Sequence, residues 1–321
     1  MTFQFDAYVT AALFGKDGKA LFALGDGTVR FESGEQIEAH DGAILCACLH
    51  PSGEGLITGG DDGRVVWSRV SGATELAKIP GRWIDSVDAS PESKLIAFSA
   101  GKDLHIRDSA DPAFSRTFTH EKSVAAVVFD PKGRRVAAAT YGGAWLWYAK
   151  IAEQKPYVLK WAGSHVGLAF SPDGKFLMSA MQENALHGWR VADEKNLRMG
   201  GYPVKVKSMS FVAKGQLLIT SGANGLVAWP FAGATGPMGK QAAEVGFDES
   251  AMVVRVDGMP GGQWVCAGLD DGRVWACDLA GQKIVQLKAE KGAAIAALAM
   301  SKDGTRVAWG DEDGAAGVAS V

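Results

Sequence analysis

The sequence predicts an all-β fold of four-stranded antiparallel blades, a β-propeller, on three observations. A short turn motif recurs along the whole chain, clearest as FSPDGK at 170–175 and FDPKGR at 129–134. A second turn follows each copy, often carrying Asp-Gly or Asn-Gly, as in DDGRV at 61–65 and again at 270–274. Glycine is abundant, 41 against 11 prolines, without low complexity, which is the composition of a chain with many tight turns between short strands.

The first turn carries its glycine, or the residue in its place, at Gly18, Gly53, Ser93, Gly133, Gly174, Gly215, Gly262 and Gly304. Each unit of about 40 residues reads strand, turn, strand, tight turn, strand and a looser fourth strand. A period of that size in an all-β chain points to a ring of blades, since one four-stranded blade cannot cover both of its faces alone. The strands are called a to d from the channel outwards. The a-strands, such as AILCACL and AAIAALAM, are rich in Ala, Ser, Gly and Cys, as crowding around a narrow axis requires.

Strands a, b and c occur eight times. Fourth strands are placed at 36–40, 74–79, 114–120, 155–161, 196–201, 239–245 and 283–289, one short of eight. TFQFD at 2–6 alternates like a strand and is expected to pair with 314–321, supplying the missing outer strand of the C-terminal blade. Eight blades in one domain, 1–321, is the preferred count, and seven with one malformed unit is the alternative.

In phase, these repeats resemble the WD40 family over essentially the whole chain, most clearly in LITGGDDGRVVWS at 56–68 and CAGLDDGRVWACDLAGQ at 266–282. The resemblance implies a non-enzymatic scaffold or adaptor that binds a protein or peptide on the rim of the d–a loops and b–c turns. The departures are specific. No Trp-Asp dipeptide is intact. Trp67, Trp147 and Trp229 follow their turn glycines by four residues where the family has five, which predicts that they sit on the opposite face of the strand. Of the family's Asp–His–Ser/Thr–Trp network, His40, Thr58 and Asp61 are the candidate members, and most blades are expected to rely on apolar packing.

Nothing in the sequence assembles a catalytic constellation. The acidic turns lack the spacing and the terminal Glu of a calcium loop. There is no G-x-S-x-G, no phosphate-binding glycine loop and no C-x-x-C, and Cys46, Cys48, Cys266 and Cys277 read as small buried hydrophobes in a reducing compartment. No metal and no cofactor are expected. Quinone-dependent dehydrogenases resemble the chain in ring size alone. A net charge of −3 lacks the basic footprint of a nucleic-acid binder, no apolar run is long enough to cross a bilayer, and the N-terminus lacks the pattern of a signal peptide. The expectation is a cytoplasmic monomer with a protein or peptide partner, and neither nucleic acid nor membrane.

The rim candidates are Arg82, Trp83, His120, Lys122, His165, Tyr202 and Lys205 from the d–a loops, and Lys102, Tyr141, Gln182 and Asn224 from the b–c turns. Arg82 with Trp83 is the favoured pair, since Trp and Arg dominate binding hot spots. The longest repeat holds an irregular segment, 230–250, that offers Phe231, Met238 and Phe247 as apolar contacts. Two other readings stand beside the scaffold: a ligand-binding or enzymatic propeller using the central channel, and an obligate subunit of a larger complex.

Overall fold

Short strands separated by turns that close on themselves dictate the architecture. The computed structural model describes residues 1–321. The turn glycines of the motif, Gly262 excepted, adopt left-handed backbone, as at Gly53 and Gly174 with φ of 75° and 70°, a conformation that costs glycine nothing. Where Ser93 replaces the glycine, the left-handed position passes to Lys94 at φ 61°. The b–c turns close on their own carboxylates: Asp62 Oδ1 accepts from Arg64 N at 3.0 Å, and Asp311 Oδ1 accepts from Asp313 N and Ala315 N at 3.0 and 2.8 Å.

All strand pairs are antiparallel, and hydrogen bonding divides the strands into seven sheets, six of four strands and one of six. Seven is the alternative count, not the preferred eight separate blades. The physical reason lies in two 14-residue stretches that stay in strand pairing throughout, Arg135–Tyr148 and Tyr157–Phe170, the first folding back on itself at Gly142 and Gly143 so that Ala149 N donates to Arg134 O at 2.9 Å. The connection at Trp161–Ser164 bends at Gly163, where φ is 126°, yet keeps its pairing: Ser164 pairs with Tyr141 on one side and accepts a hydrogen bond from Gln182 N at 2.9 Å on the other. What would have been a gap between sheets is thereby bridged. Ala126–Phe129 pairs with the first half of Arg135–Tyr148, whose second half pairs with the start of Tyr157–Phe170. The end of that strand pairs with Phe176–Met181. The halves of this sheet also pack on each other across Ala137, Leu146 and Leu159 on one side and Phe170, Leu177 and Trp189 on the other.

Inner strands meet around a channel in chain order. Val9–Phe14 adjoins Ile44–Leu49, then Ser86–Ser90, Ala126–Phe129, Tyr157–Phe170, Met209–Val212, Val253–Gly258 and Ile295–Met300, which returns to Val9–Phe14. The apolar cores lie between successive blades. One joins Leu95, Leu104 and Phe118 to Val127, Val136 and Trp147. Another joins Val212 and Ile219 to Val253, Val265 and Trp275.

The ring closes as TFQFD predicts. Thr2–Gln4 pairs antiparallel with Ala315–Ser320, Phe3 standing opposite Ala316. Phe5 N donates to Gly314 O at 2.9 Å. Phe3 and Phe5 stack with centroids 5.8 Å apart and tilt against Phe22 at 5.7 and 5.6 Å. This joins the last blade to the first, so removing residues 1–6 is expected to destabilise the fold by about 2–4 kcal/mol, the value of two half-buried Phe rings and a strand pairing. Urea denaturation measures it, and a loss below about 0.5 kcal/mol would contradict the closure.

Candidate functional site: the loop-bearing rim and the channel

The rim of d–a loops and b–c turns carries the sequence candidates, and the structure sorts them by exposure. Arg82 and Trp83 project from the turn closed by Arg82 N to Ile79 O at 3.3 Å, with Gly81 in left-handed backbone. Trp83 is 64% exposed, and Arg82 lies along the Gly101 turn. Tyr141 is equally exposed, and Lys102 and Lys122 are free to solvent. Gln182 Oε1 accepts from the half-buried Lys205 Nζ at 3.0 Å. Asn224 is half-buried and donates to Asp248 O and Ala251 O at 3.1 and 3.0 Å, tying down the next loop. Two aromatics that the sequence did not single out for this rim, Tyr8 and, as a rim group, Phe247, are exposed on the same loops.

Three candidates turn inward, and as contacts for a partner they are corrected. His120, His165 and Tyr202 are buried. Their loops dock on the sheets, and each side chain is spent on holding its own loop. Trp147 Nε1 donates to His120 Nε2 at 3.0 Å, so His120 Nδ1 carries the proton and donates to Lys102 O at 3.1 Å. His165 Nδ1 meets Ser179 Oγ at 2.8 Å, and its Nε2 donates to Trp161 O at 3.1 Å. Burial pushes both imidazoles below the ordinary histidine range. Tyr202 Oη accepts from Trp229 Nε1 at 2.6 Å and bonds Thr220 Oγ1 at 2.7 Å, and burial pushes its phenol up to about 12.

The intrablade network is therefore more complete than the sequence suggested, and it uses other members. His40 Nδ1 pairs with Asp62 Oδ1 at 3.0 Å, not with Asp61, while His40 Nε2 meets Thr58 Oγ1 at 2.8 Å. Trp67 is displaced as expected: it stands opposite Ile57, on the face away from Thr58, and donates to Glu54 O at 2.7 Å. Trp229 is not displaced, although its offset from the turn glycine is the same. Thr220 pairs with Val227, and Trp229 lies two residues on, opposite Leu218, back on the face of Thr220. Turn length sets the register, and register sets the face.

Phe231 is also corrected as a loop contact, since it is buried against Phe176 and Phe211 at 5.5 and 5.1 Å. Met238 and Phe247 remain exposed.

The channel is lined by the a-strands. Asp88 Oδ2 accepts from Phe129 N at 2.7 Å, and Asp257 Oδ2 accepts from Met300 N at 2.9 Å. Each therefore serves the unpaired edge of the next inner strand. The two carboxylates stand four inner strands apart in either direction around the ring, so they do not converge. Desolvation raises both, Asp88 to about 6. Cys46 Sγ donates to Ile84 O at 3.2 Å, and burial pushes that thiol up to about 12, far from a nucleophile's range. All four cysteines are free, Cys266 and Cys277 buried and the channel pair half-buried. No group of three or more His, Cys, Asp or Glu side chains is placed to hold a metal ion.

Asp88 makes stability depend on pH with a definite sign. Its folded pKa lies above the ordinary 3.8, so the unfolded state binds fewer protons between the two values. Stability from this group is present below pH 4 and is lost as pH rises to about 6, on the order of 3 kcal/mol. Asp88→Asn keeps an acceptor for Phe129 N and should remove that slope. Urea denaturation at pH 4.5 and 7.5 checks it: the variant gains on the wild type at the higher pH, and an unchanged difference between the two pH values would refute the assignment.

Residues 32–67, which contain His40, Thr58 and Asp62, match the family model described as WD domain, G-beta repeat. The chain is 34% identical over 74 residues to the mouse (Mus musculus) intraflagellar transport protein 80 homolog, covering 23% of this chain and 10% of that protein. It is 27% identical over 143 residues to the LST8 homolog of Drosophila melanogaster, covering 40% of this chain and 46% of that one. The chain thus spans less than half the length of either relative. In fold it is similar to the crystal structure of the computationally designed Ika8 protein, with a TM-score of 0.80 over 99% of this chain and 98% of that one at 17% identity. By its repeated units and four-stranded antiparallel blades the chain is a β-propeller, and by the repeat matched at 32–67 it is similar to WD-repeat proteins.

Proposed function

We propose that the protein is a non-enzymatic platform that docks a protein or peptide segment on the rim of d–a loops and b–c turns, with Trp83 as anchor and Arg82 beside it. The observation that carries this reading is the 64% exposure of Trp83 on a tightly turned loop. A large rigid aromatic held in water is costly to leave bare and contributes heavily once covered. Tyr141, equally exposed on the b–c turn of the next blade, and the free Lys102 and Lys122 extend the same arc. The channel reading has less support, because its carboxylates are occupied by backbone N–H groups and do not converge. No helix is long and apolar enough to cross a membrane. The partner is a protein rather than a nucleic acid or lipid surface, the free protein is a monomer, and the compartment is the cytoplasm.

The same reading treats the six-stranded sheet as two blades joined at one edge, giving eight packing units. Its support is the shared core between the halves of that sheet and the eight inner-strand segments that meet around the channel. A crystal structure viewed down the channel would show eight inner segments, and seven would end this reading.

Because Arg82 and Trp83 touch little of the core, Trp83→Ala and Arg82→Glu should leave stability within about 0.5 kcal/mol. Affinity purification from the native cell should lose the main co-purifying protein with either variant. An unchanged set of partners with an intact fold would remove this rim arc as the docking site.

A further inference from the structure

Away from the Trp83 arc, a half-open pocket of about 300 Å³ on the six-stranded sheet is lined by Trp161, Met181, Glu183, Leu186, His187 and Arg198, with two alanines. Its walls are mostly apolar, and its titratable side chains are three. His187 is fully buried, stacked on Trp161 at a centroid distance of 4.0 Å, and its Nε2 is engaged with Asn196 Oδ1 at 3.0 Å. Nε2 therefore carries the proton and donates to the amide oxygen, which leaves Nδ1 as a bare acceptor, and Nδ1 has no partner in the fold. An unpaired buried acceptor is costly unless something donates to it. Desolvation pushes His187 down to about 4, so the ring is neutral near pH 7 and Nδ1 keeps its lone pair. Arg198 and Glu183, both exposed at the mouth, make no ion pair with any residue.

The geometry points to a binding site for a free aromatic amino acid whose ring carries a hydrogen-bond donor, tryptophan or tyrosine. The ring lies among Trp161, Met181 and Leu186, its N–H or O–H donates to His187 Nδ1, the carboxylate meets Arg198, and the ammonium meets Glu183. The complement matches each titratable side chain of the lining to one polar group of the ligand, with apolar walls for the ring. The size fits, since small-ligand pockets begin at about 300 Å³. The unbranched Met181 side chain can shift to admit the ring donor. This site is separate from the rim proposal and does not depend on it.

Calorimetric titration of the full chain with L-tryptophan at pH 7.5 tests it. Saturable binding is expected, weakened at least about 10-fold for L-phenylalanine, which fills the same space without a donor, since a site built around a donor rejects the analogue that lacks it. Arg198→Ala should weaken L-tryptophan about 10-fold and leave indole, which has no carboxylate, unchanged. His187→Phe should abolish the preference for tryptophan over phenylalanine. If that core variant fails to fold, the phenylalanine comparison and the exposed Arg198 variant decide. Equal affinity for phenylalanine, no effect of Arg198→Ala, or no binding at 10 mM ligand, taken as about the ceiling for a specific small-ligand site, would each overturn the assignment.

Discussion

Every blade ends at the channel in a sheet edge, and the ring depends on how those edges are satisfied. An inner strand has a paired neighbour on one side only, so its other row of N–H and C=O groups faces the axis. Side chains from the preceding blade reach across and take those groups. Thr10 Oγ1 donates to Ile44 O at 3.0 Å, Cys46 to Ile84 O, and Arg255 Nε to Ala296 O at 2.6 Å. Ser86 Oγ accepts from Val127 N at 3.1 Å, and Ser208 Oγ accepts from Val256 N at 2.7 Å, beside the two aspartates already described. Each bond crosses from one blade to the next in the same sense. The channel is thus a zipper, and small polar residues on the a-strands are its teeth. Crowding alone accounts for their size, but only the exposed edge accounts for their polarity.

This division of labour leaves the rim free to vary. The zipper holds the inner ends, and the apolar clusters hold the faces between blades. A third device, the buried pairing of a loop His or Tyr with a strand Trp, Ser or Thr, holds the outer loops down. That third device acts in the loops of His40, His120, His165 and Tyr202, while the Trp83 loop is held by Ile84 N donating to Gly60 O at 3.1 Å, so Trp83 projects without loosening the blade beneath it. Rigid loops lose little freedom on binding, which is why such rims suit recognition.

The legible part of this fold was its punctuation. Glycine-bearing turns mostly need left-handed backbone, and no other residue takes it as cheaply, so the strands, their order and the pairing of the N-terminal strand with the C-terminal blade could all be read from residue types. The register within a turn could not. Trp67 and Trp229 stand at the same distance from a turn glycine, yet one faces away from the blade's Thr and the other toward it, because the hairpins pair with different offsets. The choice of Asp62 over Asp61 is the same problem at one-residue scale. The bridged sheet was equally hidden: nothing in WAGS announces that Ser164 bonds to a strand on either side. Site residues divided by burial. Arg82 and Trp83 follow a Pro-Gly turn that throws them outward. His120, His165 and Tyr202 precede a-strands in loops that fold onto their own sheets, and a sequence position beside a loop does not say which way the ring points.

The buried histidines carry one more consequence. Bonding defines a tautomer for His120: a donor reaches Nε2, so Nδ1–H must donate to Lys102 O. In His187 the engaged nitrogen faces an amide oxygen, and the other nitrogen faces nothing. Both rings are pushed toward neutrality by burial. Two residues in the same kind of setting therefore differ in one respect, that one has closed its hydrogen-bond account and the other has not. His50 Nε2 and His105 Nε2 are likewise buried without a partner, each ring stacked on an aromatic, so an open imidazole nitrogen recurs in this fold, and what sets His187 apart is the pocket beside it. The open nitrogen, beside an unpaired Arg and an unpaired Glu, marks the place where the repeat stops serving the fold.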